Sequence, residues 1–167
     1  MATLFSFLIF CQALGTFIGA FTALWSELAY VRAMKDGKID VAERAHLRII
    51  GNGLRFGMSL LLIASLGLVI VAYALHAAQQ PALTASYWTV IVLALLIIGV
   101  SWALSRRRIS FALGSATAFT AWWFLAYLTL GWLPSLSFGA SVTFFAITTA
   151  IFYAMLQYAR FFALHKR

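Results

Sequence analysis

The feature that most constrains this chain is a series of five apolar runs, each close to or above the roughly 20 residues that a helix needs to cross a hydrocarbon core. They cover residues 4–31, 47–75, 87–104, 109–130 and 138–164. In lipid, backbone N–H and C=O groups find no water, so a run of this kind must satisfy them internally as a helix. No part of the sequence shows the alternating segments of about 10 residues that mark a membrane β-barrel. Composition points the same way: with 64% hydrophobic and 10% charged residues, the chain carries too little charge to solvate the surface of a water-soluble domain. The expectation is an all-α integral membrane protein, a five-transmembrane-helix bundle forming a single transmembrane domain over residues 1–167. No linker, repeat or low-complexity stretch divides it.

The charges give the orientation. All 12 Lys and Arg residues lie in, or within about two helical turns of, three places. These are the connection between the first and second runs, the connection between the third and fourth, and the C-terminus. If five helices cross the bilayer, the three places share one side, and the opposite side carries no Lys, Arg, Asp or Glu. Basic segments stay in the cytoplasm, which predicts the N-terminus outside and the C-terminus cytoplasmic. Trp25, Trp88, Trp102 and Trp132 fall near run ends, where aromatic belts sit. The first run has no basic segment before it and is longer than a signal-peptide core, so it reads as a retained helix. A net charge of +8 could suit nucleic acid, but charges confined to run ends face anionic lipid headgroups instead. No nucleic-acid partner is expected. The chain has the general look of small bacterial inner-membrane proteins, and the inner (plasma) membrane is the expected location.

Small residues suggest how the helices pack. Gly15, Gly19, Ala23 and Glu27 follow at four-residue steps in the first run, and Gly53 and Gly57 do so in the second. Such spacing puts them on one helix face and lets backbones approach closely in lipid. The short connection between these runs favours packing of the first helix on the second through Gly15, Gly19, Gly53 and Gly57. The same faces would also serve a homo-oligomer.

Glu27 is the one acid inside a run. It lies about 7 Å inward from Arg32, and Arg55 lies about 10 Å inward from Arg48 on the antiparallel second helix, taking the helical rise per residue. That match predicts an ion pair between Glu27 and Arg55. Gln157 and Arg160 reach a similar level on the fifth helix, and Asn52 shares a face with Arg55 and Ser59. Glu27, Asn52, Arg55, Gln157 and Arg160 would then line a polar pocket opening to the cytoplasm, with a small positive charge suited to an anion. In the bland alternative Glu27 and Arg55 fix helix register, and Arg160 reaches out to the interface. On this scheme the first, second and fifth helices form the polar inner layer. The third run, with only Thr89 and Ser101 as polar groups, lies at the lipid-facing periphery.

Other chemistry finds little support. Cys11 is the single cysteine, and it reads as a small core residue. His46, His76 and His165 all fall at run ends and read as solvated interfacial groups, with a haem pair between His46 and His165 as a weaker reading. No cluster suits a metal, no lysine inside a run could hold retinal, and no histidine stands at a depth to activate a serine. No enzyme activity, metal or cofactor is therefore expected. Two functional classes remain: a transporter, channel or ligand-binding protein using the cytoplasmic-side pocket, or an accessory or scaffold subunit of a larger membrane complex.

Overall fold

The structure is a computed structural model that describes residues 2–34, 39–76, 80–132 and 137–165. Among these residues it is all-helical, with five helices long and apolar enough to cross a membrane. The first is α1 (Ala2–Met34). The second span joins α2 (Ile39–Gly53) to α3 (Ser59–Ala74) through a π-helical turn, Leu54–Met58. A short 3-10 turn, Pro81–Leu83, leads into α4 (Ala85–Ser105). There the Thr84 side chain caps the helix by accepting from the Tyr87 N–H. The remaining spans are α5 (Phe111–Thr129) and α6 (Phe138–His165). The Asp36-Gly37 turn signal, the Gln79 loop, Pro134 and the terminal Lys166-Arg167 lie outside the described residues.

The hub of the bundle is α5. It packs against α1, α4 and α6, and 61% of its apolar window is buried, against 6% for α6. The reason is side-chain size. Gly114, Ser115, Ala116, Ala118, Ala121 and Ala126 are all buried on α5, so neighbouring helices come close on several sides. Trp122, Phe124 and Leu125 fill the space between them as part of the main core cluster. The layering expected from polar content is thus corrected: the fourth span is central, the fifth lies outermost, and the third contributes Val90, Leu93, Ala94 and Ile97 to the core. Polar content is a poor guide here because Ser and Thr on these helices mostly bond the carbonyl one turn back, as Thr120 does to Ala116.

The first and second spans meet backbone to backbone. A Cβ added at Gly57 would stand 2.7 Å from the Gly15 carbonyl oxygen, and one at Gly15 would stand 2.8 Å from the Gly57 oxygen. Gly53 accommodates the Thr22 side chain, while Gly19 touches the Gly57 side with its backbone and leaves room for the Trp122 ring of α5. The glycine face of α1 therefore serves two neighbours at once. Hydrogen bonds pin the same face farther along, from Gln12 Nε2 to Ser65 Oγ at 2.9 Å and between the Thr16 and Thr129 hydroxyls at 2.9 Å. Trp25, Trp88, Trp102 and Trp132 all point outward, and the Arg106 and Arg108 guanidinium groups lie over the Trp102 ring.

Replacing Gly57 by leucine should separate these backbones and cost about 1–3 kcal/mol, seen as a lower melting temperature in detergent. Gly99→Leu is the control, since a Cβ there meets nothing within 4 Å. Equal losses in the two variants, or none in either, would show that the close approach does not support the fold.

Candidate functional site

At the end of the bundle where the basic segments lie, α1, α2, α5 and α6 converge on one buried charged cluster. Its centre is Glu27 of α1, with only 4% of its surface exposed. Arg160 of α6, 5% exposed, donates from Nη2 to Glu27 Oε2 at 2.8 Å and to Ser115 Oγ of α5 at 2.7 Å. His46 of α2 is fully buried and brings Nδ1 to 3.9 Å from Glu27 Oε1, which is an electrostatic contact but too long for a hydrogen bond. The Ser26 backbone also lies beside the His46 ring, without hydrogen-bond geometry.

Aromatic rings close this cluster. Tyr30 and Phe111 stack with centroids 4.5 Å apart. The Arg160 guanidinium carbon lies 4.8 Å from the Tyr30 centroid and 5.4 Å from that of Phe111. His46 meets Phe111 edge-on at 4.8 Å and Tyr30 at 6.0 Å. A desolvated cation over two ring faces gains about 2 kcal/mol from their quadrupoles, on top of its ion pair. These contacts offset much of the cost of holding a guanidinium away from water.

The helix faces explain who meets whom. On the second span the buried positions include His46, Ile50, Gly53, Gly57 and Leu61, a three- to four-residue stripe that the glycine contacts turn toward α1. Arg55 stands two positions from Gly53 and two from Gly57, hence about 200° around the helix from each. It is exposed, as are Asn52 and Ser59. The expected Glu27–Arg55 pair is therefore corrected: the partner of Glu27 is Arg160, and Asn52 and Arg55 lie on the opposite, outward face. Gln157 is half-buried on α6, one turn from Arg160, and its amide donates weakly to the Tyr153 hydroxyl at 3.4 Å. His46 corrects a second expectation, since it is a core group and not a solvated one. His76 is exposed at the far end of α3, with a positive φ of 51°. The His165 side chain, and with it the proposed His46–His165 haem pair, lies outside the described residues.

Sequence reasoning missed four members of the cluster: His46, Ser115, Tyr30 and Phe111. A signal existed for His46, which shares a helical face with Gly53, seven positions on. No comparable signal marks Ser115 among the other small residues of α5.

Several polar atoms in the cluster are sealed from solvent yet have no hydrogen-bond partner among the described residues: Glu27 Oε1, both ring nitrogens of His46 and Arg160 Nε. Such atoms are uncommon in a folded core, and here they fall within one cluster. Beside them a groove of about 790 Å³ runs between the start of α5 and the end of α6, lined by Tyr30, Ser110, Phe111, Gln157, Tyr158 and Arg160, among others. On the other side of Phe111 is a smaller pocket of about 220 Å³, lined in part by Arg44, Ser105 and Arg107. The hydrogen bonds that Arg160 makes among the described residues, to Glu27 and Ser115, both run through Nη2, and the residue also lines the groove. Among the described residues, no three His, Cys, Asp or Glu side chains converge as a metal site would require.

No protein-family model, curated protein or solved structure matches the chain.

Glu27→Gln and Arg160→Gln should each destabilise the protein by on the order of 3–5 kcal/mol, because each leaves a buried charge uncompensated. The double variant should lose clearly less than the two single losses added, while Glu27→Gln and Arg55→Gln should be additive. Coupling of Glu27 to Arg55 in place of Arg160, measured by unfolding in detergent, would refute this arrangement.

Proposed function

We propose that this chain is an integral membrane protein, its N-terminus outside and its basic segments in the cytoplasm, that binds a polar or anionic ligand at the cytoplasmic side. The site is the groove bordered by Arg160, Tyr30, Ser110 and Gln157. This places the protein with small transporters or membrane ligand-binding proteins. The observation that carries the reading is Arg160, an intramembrane cation held in place by Glu27 and Ser115 at the wall of the groove. A strut that only fixed helix register would need the ion pair but no groove at the cation.

The orientation rests on the segregation of basic residues. The burial of the cluster supports a gating or recognition role near one boundary, because ionisable groups inside a membrane are costly and commonly functional. The groove itself falls within the usual size range of small-molecule sites. Its cation is largely neutralised by Glu27, so selectivity would come from the planar guanidinium, which can hold a phosphate or carboxylate in a fixed geometry.

A second reading is an accessory subunit of a larger membrane complex. It draws on α6, whose outward face carries Ile147, Ile151, Met155 and Tyr158. That reading expects another membrane protein to copurify through α6.

Two measurements address the proposal. With Cys11 replaced by serine, a cysteine at Leu83, which is 84% exposed, should react with an impermeant reagent from outside, and a C-terminal reporter should be active inside. Reaction at position 83 only from inside would overturn the topology. For the site, inorganic phosphate, succinate or glycerol phosphate should raise the melting temperature of the purified protein. Arg160→Lys, which retains a charge for Glu27 but loses the guanidinium fork, should abolish the response. A wild-type protein indifferent to all three anions would remove the ligand-binding reading.

A further inference from the structure

Polar side chains on the spans are mostly satisfied inside the fold. Hydroxyls such as those of Ser26, Ser65 and Thr120 bond a carbonyl one turn back, and Arg160 has Glu27. The second span departs from this pattern. Arg48, Asn52, Arg55 and Ser59 follow one another at three- and four-residue steps and are all exposed, so they form one stripe on the face turned away from α1. Among the described residues, the side chains of Asn52, Arg55 and Ser59 make no hydrogen bond or ion pair. The same stripe continues as Ile63, Leu66 and Ile70, each more than half exposed.

Arg55 stands deep in the span. Gly57 meets Gly15 backbone to backbone, and Gly53 takes the Thr22 side chain. Arg55, midway between the two glycines, is therefore level with the stretch of α1 between residues 15 and 22. The apolar span of α1 runs from Thr3 to Arg32, which puts that level near its middle. In a bilayer the middle lies roughly 15 Å from either headgroup layer, half a hydrocarbon core. The three-methylene stem of an arginine does not reach that far. An outward arginine at this depth needs a partner, because ionisable groups inside a membrane pair with one another or face water.

We propose that this stripe docks a transmembrane helix of another membrane protein, one that carries an aspartate or glutamate inside its span to pair with Arg55. Charge complementarity selects the occupant. A carboxylate accepts two parallel bonds from a guanidinium, and Asn52 and Ser59, about one turn to either side, offer further hydrogen bonds to the incoming helix. Gly51, one turn before Arg55, is exposed, and a Cβ there would meet nothing within 4 Å. It leaves room for a second backbone to come close. A second copy of this chain does not supply the carboxylate. Of the four acids, Glu27 is buried against Arg160, and Asp36, Asp40 and Glu43 precede Arg55 by at least twelve residues, or about 18 Å of helix. Two copies packed in parallel through this face would set Arg55 against Arg55. The inference is independent of the groove at Arg160, and it involves the second span, not α6.

The test uses the purified full chain in liposomes and a defined probe. The probe is a membrane-spanning leucine–alanine peptide with one aspartate at its centre, compared with peptides carrying asparagine or leucine there. Association is read by energy transfer from a fluorophore at the C-terminus of the protein to one on the peptide. Wild type should bind the aspartate peptide about tenfold more tightly than the leucine peptide, the scale of polar contacts between helices in lipid, and the asparagine peptide should fall between them. Arg55→Leu should bind all three alike. Its melting temperature in detergent should be no lower than that of wild type, because Arg55 holds nothing within the chain. Equal binding of the three peptides to wild type, or a preference for aspartate that survives in Arg55→Leu, would overturn the inference. A melting temperature several degrees lower in Arg55→Leu would do the same, by showing that Arg55 is paired inside the protein. If energy transfer between two labelled copies of the chain were lost in Arg55→Leu, the face would be a homodimer interface, and the acidic partner would be ruled out.

Discussion

A single carboxylate, Glu27, sets the terms for one end of this bundle. An ionised side chain buried among apolar helices is tolerated only when opposite charge and hydrogen bonds surround it. Here those come from three other spans. Arg160 supplies the cation from α6, His46 an imidazole from α2, and Ser115 a hydroxyl on α5 that holds the guanidinium in place. The consequence is largest for α6, the span with least buried surface. Its aromatic contacts with α5, such as Phe152 on Phe119 at 5.1 Å, are of the kind it could also make with lipid. The charge pair has no substitute in hydrocarbon. It fixes both the height and the rotation of α6 against the rest of the bundle.

That arrangement depends in turn on how α1 and the second span are rotated about their axes. The Gly15–Gly57 approach admits no side chain between the helices, so whatever shares the Gly53–Gly57 face must point at α1. His46 shares it, and Arg55 cannot. The glycine packing and a Glu27–Arg55 pair were mutually exclusive from the start, because positions two apart on a helix point in nearly opposite directions. The π-helical turn at Leu54–Met58 falls in the same stretch. Turns of this type often occur where a helix is adapted to a local demand, and here the demand is the close approach of α1 at Gly57.

The helices themselves were plain in the sequence, since hydrocarbon thickness and the need for internal hydrogen bonding leave a run of that length little alternative. The four glycines and the importance of Glu27 were also readable, from spacing and from the rarity of a buried acid. What spacing along one helix cannot reveal is which neighbour each face meets. Depth matched Glu27 with both Arg55 and Arg160, and the choice between them required the rotation of each helix. The central place of α5 was obscured for a related reason. Its Ser, Thr, Gly and Ala residues lower its hydropathy, but they act by being small, which a count of polar groups does not register. His46 lies beside a charged connection yet is buried, because α2 continues as helix from Ile39 straight into the second span.

The contrast between α5 and α6 gives the site its physical character. Small residues on α5 draw α1 and α4 into tight contact, leaving the bulky rings of Phe119, Trp123 and Phe124 to face α6. Opposite them α6 offers Phe144, Phe145 and Phe152, and large rings meeting large rings cannot interdigitate to the density that glycine and alanine allow on the other sides. A cleft with residual volume is the geometric result. A span held by one buried charge pair at its basic end and by loosely matched rings elsewhere has limited freedom to move where the pair is, and more freedom farther along. Arg160, held by two hydrogen bonds and two ring faces, is consequently the fixed point of α6.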